Sequence, residues 1–329
     1  MNIFAYSTFT LSMGILLDFM IGDPKGWYHP VMGIGWLISK LEKWLRKLFS
    51  KTKIGERIAG IIMVMLVIGL STLFPAIVLI CCYKIHLIIG ILVETFMCGT
   101  LLAAKSLKTE SMKVAKSLEG YGLEAGRKAV SMIVGRDTEN LSESGVIKAT
   151  IETVAENTSD GVIAPMCFMA LFGAVGGFFY KAINTMDSMV GYKNNSYCYF
   201  GTAAAIMDDI VNFIPARISA LVMILSCPFC GLNIREAWRI FKRDRYQHAS
   251  PNSAQTESVM AGALQVQLAG DAWYFGKKYK KPTIGDKIRS VEIKDIEKSN
   301  QLMYITTILT AILILSIKFL SYQGGLLLL

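Results

Sequence analysis

The sequence predicts an all-α integral membrane protein, with about four full transmembrane helices and further helices partly embedded or re-entrant around a cytoplasm-facing pocket. Composition is the first reason. The chain is 53% hydrophobic and only 18% charged, with a mean hydropathy of +0.44, whereas a soluble domain carries about 25% charged residues. The second is four apolar runs, at about 3–21, 58–83, 85–104 and 303–322, each near the ~20 residues that cross a bilayer core. The third is the interrupted region 161–231, where Gly173, Gly176, Gly177, Asp187, Asp208, Asp209, Pro215 and Arg217 break apolar runs. Charges at membrane depth are tolerated when paired or facing a cavity, and irregular backbone only where lipid cannot reach it.

The elements follow in order. The run 3–21 lacks a basic n-region and a small-residue cleavage site, so it is expected as an uncleaved span rather than a signal peptide. GDPKGWYHPV (22–31) is turn-rich, and the basic amphipathic stretch 39–57 should lie on the cytoplasmic surface. Only Lys84 separates the next two spans, which implies a tight hairpin. Segments 105–160 and 232–302 are polar and expected in the cytoplasm; the second holds thirteen Lys and Arg against eight Asp and Glu. Residues 1–329 are expected to form one membrane-embedded catalytic domain, without internal repeats.

The formal charge of +9, from 34 basic and 25 acidic residues, is assigned to orientation in the membrane and attraction to anionic lipid. No nucleic-acid-binding module is legible. Seven cysteines are scattered, mostly in apolar runs, and read mainly as small buried hydrophobes. Cys227 and Cys230 form a CPFC, but a zinc site wants a second pair or nearby histidines. Walker-type, dinucleotide-binding, HExxH and GxSxG patterns are missing from the sequence.

Five polar stretches could carry chemistry. In ETVAENTSDGVIAP (152–165), Glu152 and Glu156 share a helix face and Asp160 joins them if the helix continues. Such carboxylates want a cation, a basic partner or protonation; a solvated face followed by an N-cap at Thr158 or Ser159 is the competing reading. NTMDSMVGYKN (184–194) would set Asn184, Asp187 and Ser188 on one turn, or be a capped interfacial loop. MDDIVNFIPAR (207–217) puts adjacent Asp208 and Asp209 in an apolar helix, calling for a metal or an internal pair with Arg217. The stretch 248–270 offers a helix start at Ser250 and Asn252, with Gln255 as a capping partner, and an exposed helix N-terminus attracts phosphate. GDPKGWYHPV presents Asp23 and His29.

Taken in order, GDPKGWYHPV (22–31), GRDTENL (135–141), ETVAENTSDGVIAP, NTMDSMVGY (184–192), FGTAAAIMDDIVNFIPAR (200–217) and SPNSAQTESVMAGAL (250–264) resemble the membrane-bound adenosylcobinamide-phosphate synthase family of cobalamin biosynthesis. The resemblance covers nearly the whole chain outside the apolar hairpin 58–104. It departs from the family at Ala254, where glycine is usual, and at Thr256, where proline is usual.

The resemblance implies an ATP-dependent carbon–nitrogen ligase. A propionate carboxylate of adenosylcobyric acid would be joined to (R)-1-aminopropan-2-ol or its O-phosphate, giving adenosylcobinamide or its phosphate. ATP would activate the carboxylate as an acyl phosphate, and Mg²⁺ would screen phosphate charge. It further implies Glu152, Glu156, Asp160 and Asp187 as catalytic residues, with Glu156, Asp160, Asp208 and Asp209 as metal ligands. Substrate or phosphate would meet Asp23, His29, Arg136, Asn157, Asn184, Arg217, Ser250 and Asn252. The expected setting is the cell membrane, multi-pass, with the active site facing the cytoplasm; other copies of the chain or other membrane enzymes of the pathway are the expected protein partners. Two rival classes fit the acidic helices: a prenyltransferase or alcohol phosphotransferase using Mg-diphosphate, and an ion-coupled transporter with broken helices.

Overall fold

A computed structural model describes residues 3–22, 26, 29–192, 194–274 and 276–323. The helices are α1 (Ile3–Met20), α2 (Pro30–Leu48), α3 (Lys53–Ile85), α4 (Leu87–Thr100), α5 (Ala104–Tyr121), α6 (Leu123–Val130), α7 (Glu143–Asn157), α8 (Ala164–Val190), α9 (Thr202–Val211), α10 (Phe213–Ser226), α11 (Ile234–Asp244), α12 (Ser253–Leu264) and α13 (Ile293–Gln323). A wide π turn (Thr158–Ile163) follows α7, and a 3₁₀ turn (Cys227–Cys230) follows α10. Four short strands, β1 (Leu268–Ala269), β2 (Ala272–Tyr274), β3 (Lys277–Tyr279) and β4 (Thr283–Ile284), form two antiparallel pairs, β1 with β4 and β2 with β3.

Five helical stretches are long and apolar enough to cross a membrane: Lys53–Ile85, Leu87–Tyr121, Glu143–Val190, Phe213–Cys230 and Ile293–Ser321. The chain is an all-α, multi-pass membrane protein. Three of these stretches contain most or all of the spans predicted at 58–83, 85–104 and 303–322. The run predicted at 3–21 is α1, whose 18 residues sit at the short end of the spanning range. The other two stretches overlap the region predicted to be partly embedded, and the helices there are broken, at Phe172–Gly173 inside α8 and at Asn212 between α9 and α10.

The chain divides into two compact units: Met1–Ala103 with Ala164–Asn212 and Leu313–Leu329, and Ala104–Ile163 with Phe213–Ile312.

In the first unit α1 packs on α4, and α3 on α4 and α8. Leu73, Phe74, Ile77 and Ile80 of α3 stay exposed, as expected of a face that meets lipid rather than water. The turn between α3 and α4 falls at His86 rather than Lys84. His86 is extended, its N–H donates to the Cys82 carbonyl, and its Nδ1 accepts from the Ile88 N–H at 3.2 Å. One residue thus ends one helix and caps the next. Gly173 lies at φ 63°, ψ −163°, a region open essentially to glycine. A Cβ there would lie 2.9 Å from Oε1 of Glu94. Glu94 is buried and accepts a 2.5 Å hydrogen bond from the Tyr83 hydroxyl.

In the second unit α12 is buried along its whole length, although it begins SAQTES. It packs against α7, α10 and α11. Gly262 allows the α11 contact, since a Cβ there would lie 2.5 Å from the Glu236 carbonyl. The pairing of Asn252 with Gln255 as a helix cap is not formed. The Asn252 side chain makes no capping bond, and Gln255 Nε2 donates instead to the carbonyls of Arg245 and Pro251. Nor do Thr158 and Ser159 start a new helix: α7 runs on into the π turn, and the Thr158 hydroxyl donates back to the Val154 carbonyl at 2.7 Å.

The cysteines are less buried than their apolar surroundings suggested. Cys98 and Cys227 are buried, Cys81 and Cys198 are exposed, and the other three are intermediate. A small apolar side chain suits a lipid-facing surface such as that of α3 as well as a core.

Candidate active site

The second unit gathers ionisable side chains from four parts of the sequence around a cavity of about 210 Å³. α7 contributes Glu152, Thr153, Glu156 and Asn157; α12 contributes Glu257; the loop before α7 brings Arg136; His248 and Lys281 complete the charged and titratable lining. Spacing explains the α7 contribution, because positions 152, 153, 156 and 157 lie on one face of a helix. Ala269 and Gly270, with Ala272 and Tyr274 of β2, close a further side.

The three glutamates are in different states. Glu152 is compensated: Arg136 pairs with one oxygen, and the backbone N–H of Ala269 donates to the other at 2.7 Å. Burial pulls the Arg136 guanidinium toward deprotonation, but the Glu152 carboxylate outweighs it and the group is held above its usual range. Glu156 accepts from the Ser253 hydroxyl at 2.9 Å. Glu257 is buried within α12. Burial first, then the charges of Glu156 and Glu152, hold its carboxyl well above the usual range, against the opposite pull of Arg136 and Lys281.

The basic groups are also specific. Lys281 donates to the Tyr274 hydroxyl at 2.9 Å and lies 4.7 Å from that ring's centre. Burial holds His248 below its usual range although Glu156 pulls the other way. Its Nδ1 accepts from the Ser250 N–H at 3.1 Å. The neutral ring therefore carries its proton on Nε2, which is a donor rather than a base.

The sequence-derived residues divide between the units. Arg136, Glu152, Glu156 and Asn157 line this cavity together. Asp160 lies on the π turn of the same unit and does not line it. Asn252 accepts from Arg217 at 3.3 Å, and Arg217 also donates to the Phe213 carbonyl at 2.6 Å. Ser250 Oγ accepts from the Asn252 N–H at 3.3 Å. In the first unit, Asn184 donates to buried Asp208 at 3.4 Å, Asp187 stands on α8 and Asp209 on α9. His29 caps α2, accepting from the Val31 N–H at 3.2 Å. Asp23 lies outside the described residues. Sequence reasoning passed over Glu257, His248, Lys281 and Tyr274. A glutamate four residues into the run SAQTESVMAGAL was the available signal for Glu257, since a charge amid so many small and apolar residues requires a partner.

Among the described residues, no three His, Cys, Asp or Glu side chains form a ready-made metal site. Mg²⁺ does not need one, since it commonly takes one or two carboxylates and completes its shell with water and substrate phosphates. The residues present fit that mode: Glu156 has an oxygen beyond its bond to Ser253, and Glu257 brings a second, buried carboxyl to the same cavity. Arg136, Lys281 and His248 supply donors for the anionic ligand that would accompany such a cation.

The fold and cavity define a class: a multi-pass helical membrane protein with a small polar chamber, suited to anionic groups and the cation they carry. The chain belongs to the CobD/Cbib family, whose model matches residues 11–303. It is similar to the cobalamin biosynthesis protein CobD of Clostridium perfringens (strain 13 / Type A), with 44% identity over 93% of this chain and 96% of that one. The protein of the same name from Geobacter metallireducens is 46% identical over 88% of this chain and 90% of its own. That of Klebsiella pneumoniae subsp. pneumoniae is 42% identical over 92% and 95%. No solved structure matches the chain.

Proposed function

We propose that this protein is the amide ligase of cobalamin biosynthesis. It would join (R)-1-aminopropan-2-ol or its O-phosphate to the propionate carboxylate of adenosylcobyric acid, with ATP hydrolysed to ADP and phosphate. Family membership supports the pathway. The observation that carries the chemistry is the convergence of Glu156 and Glu257 with Arg136, Lys281 and His248 in one chamber.

A carboxylate is a poor electrophile. Its oxygen attacks the γ-phosphorus of ATP, ADP departs, and an acyl phosphate remains. The amine nitrogen then attacks the acyl carbon, phosphate leaves, and the amine gives up a proton. Bound Mg²⁺ would screen the charge of the β- and γ-phosphates. Glu156 is its proposed ligand, while Arg136, Lys281 and the Nε2–H of His248 hold the phosphate oxygens. Glu257 is the proposed base, because a carboxyl held above its usual range is better matched to an amine proton than an ordinary one. Glu152 fixes Arg136. A cavity of about 210 Å³ is smaller than the ~300–1,000 Å³ of drug-sized ligand sites, so it takes the reacting ends of the substrates and not the macrocycle. The proposed setting is the cell membrane with this chamber open to the cytoplasm, where ATP is found.

The test is incubation of purified protein with adenosylcobyric acid, ATP, Mg²⁺ and each acceptor separately, reading the corrinoid by mass. A product heavier by the acceptor less one water, made only with ATP, is expected. ATP-independent product, or none with either acceptor, removes the proposal.

A further inference from the structure

Strand β2 is a partition. Successive residues of a strand face opposite sides, and Ala272 and Tyr274 line the acidic chamber while Trp273, between them, lines a second recess of about 610 Å³. The loop 136–141 makes much of the remaining wall, and Arg136 lines both spaces. The walls are tied together: the Asp137 N–H donates to the Trp273 carbonyl at 2.9 Å, and the Gly276 N–H donates to Asp137 Oδ2 at 2.8 Å. Trp273 is thereby fixed in position, and the residue is 44% exposed. Thr138 and Asn140 bring hydroxyl and amide groups to the same recess.

We propose that this recess holds the purine base of the nucleotide, stacked on Trp273, with the polyphosphate running past Arg136 into the acidic chamber. The inference rests on the reading of the chain as ATP-dependent. The ligand implied is flat and aromatic at one end and multiply anionic at the other, with a guanidinium at the junction. An indole face presents a stacking surface to any base, and the neighbouring amide and hydroxyl suit the polar edge of a purine. A corrin ring is a poorer occupant, because its amide side chains project from both faces and keep it from lying flat on one indole.

The experiment uses full-length protein in detergent, as wild type, Trp273→Ala and Trp273→Phe. It measures binding of ATP and of inorganic tripolyphosphate, together with KM and kcat for ATP and for the corrinoid. Loss of the stack is expected to weaken ATP binding by roughly tenfold or more in Trp273→Ala, with most of the affinity kept in Trp273→Phe. Tripolyphosphate, which has no base, should bind all three proteins alike, and this also shows that the variants are folded. KM for ATP should rise while kcat at saturating ATP holds. Unchanged ATP affinity in Trp273→Ala overturns the inference, whether the KM for the corrinoid rises, marking a corrin site, or nothing changes, marking a surface tryptophan. Those results leave the ligase reading standing if the wild type still turns over ATP. A wild type that binds and consumes no ATP ends both.

Discussion

Glu257 shows most sharply how one residue can be bad for the fold and good for the reaction. In the unfolded chain it is an ordinary carboxyl, whereas burial in the native state holds it well above that range. The sign follows from linkage: the folded form binds the proton more tightly, so stability is highest below the ordinary carboxyl range and falls as pH climbs toward the folded value. Glu257→Gln should therefore raise Tm at neutral pH by a few degrees and flatten its dependence between mildly acid and neutral pH. The same variant should slow amide formation by about a hundredfold while ATP still binds. A lowered Tm with normal turnover would show that the carboxyl is an ordinary buried acid. The pair beside it behaves oppositely. Arg136→Met strands Glu152, which is only 6% exposed, and the loss should be about 3 kcal/mol. Adding Glu152→Gln, which keeps an acceptor for the Ala269 N–H, should restore most of it in a double-mutant cycle. Glu152 and Glu156 were legible in the sequence because their spacing puts both on one face. Glu257 was harder to see, because its neighbours along the chain are hydroxyls and small apolar residues, and only folding brings it against α7.

Breaks and close approaches decide what the helices can do. Apolar runs made the spans readable, since hydropathy needs no tertiary information. The exact breaks were less so: several glycines in α8 could each have been the hinge, and only Gly173 takes a backbone conformation that other residues avoid. Gly173→Ala should destabilise the protein by roughly 1–3 kcal/mol from the backbone alone, with a further loss from the contact with Glu94. Thermal unfolding in detergent measures it, and a neutral result would mean that the break is not required. Short strands were missed altogether. β2 and β3 are three residues each, too short to show an alternating pattern, and they lie in a basic segment that reads as surface loop. The lining residues Trp273 and Tyr274 were missed along with them.

On the scale of the whole molecule, the chain forms two units, and the chamber is built within the second. Three separated stretches supply its acids and their main basic partner: the 135–141 loop, α7 and α12. Family motifs had pointed to all three, because the residues fall inside GRDTENL, ETVAENTSDG and SPNSAQTES. The sequence also grouped Asp208, Asp209, Asn184 and Asp187 with them. Those four stand in the first unit, where Asn184 donates to Asp208 and the Tyr180 hydroxyl donates to the Asn212 side chain at 2.9 Å. Within the second unit, what a linear pattern cannot say is which residues line one cavity, since that depends on how α7 and α12 pack. The most direct measurement of the proposed chemistry is the Mg²⁺ dependence of corrinoid amide formation by wild type and Glu156→Gln at matched Tm. A loss of about a hundredfold or more, with Mg²⁺ dependence weakened and ATP consumption falling in step, is the expected result. Near-normal turnover with an unaltered Mg²⁺ profile would contradict it, and the chamber on α7 would then not be where the reaction occurs.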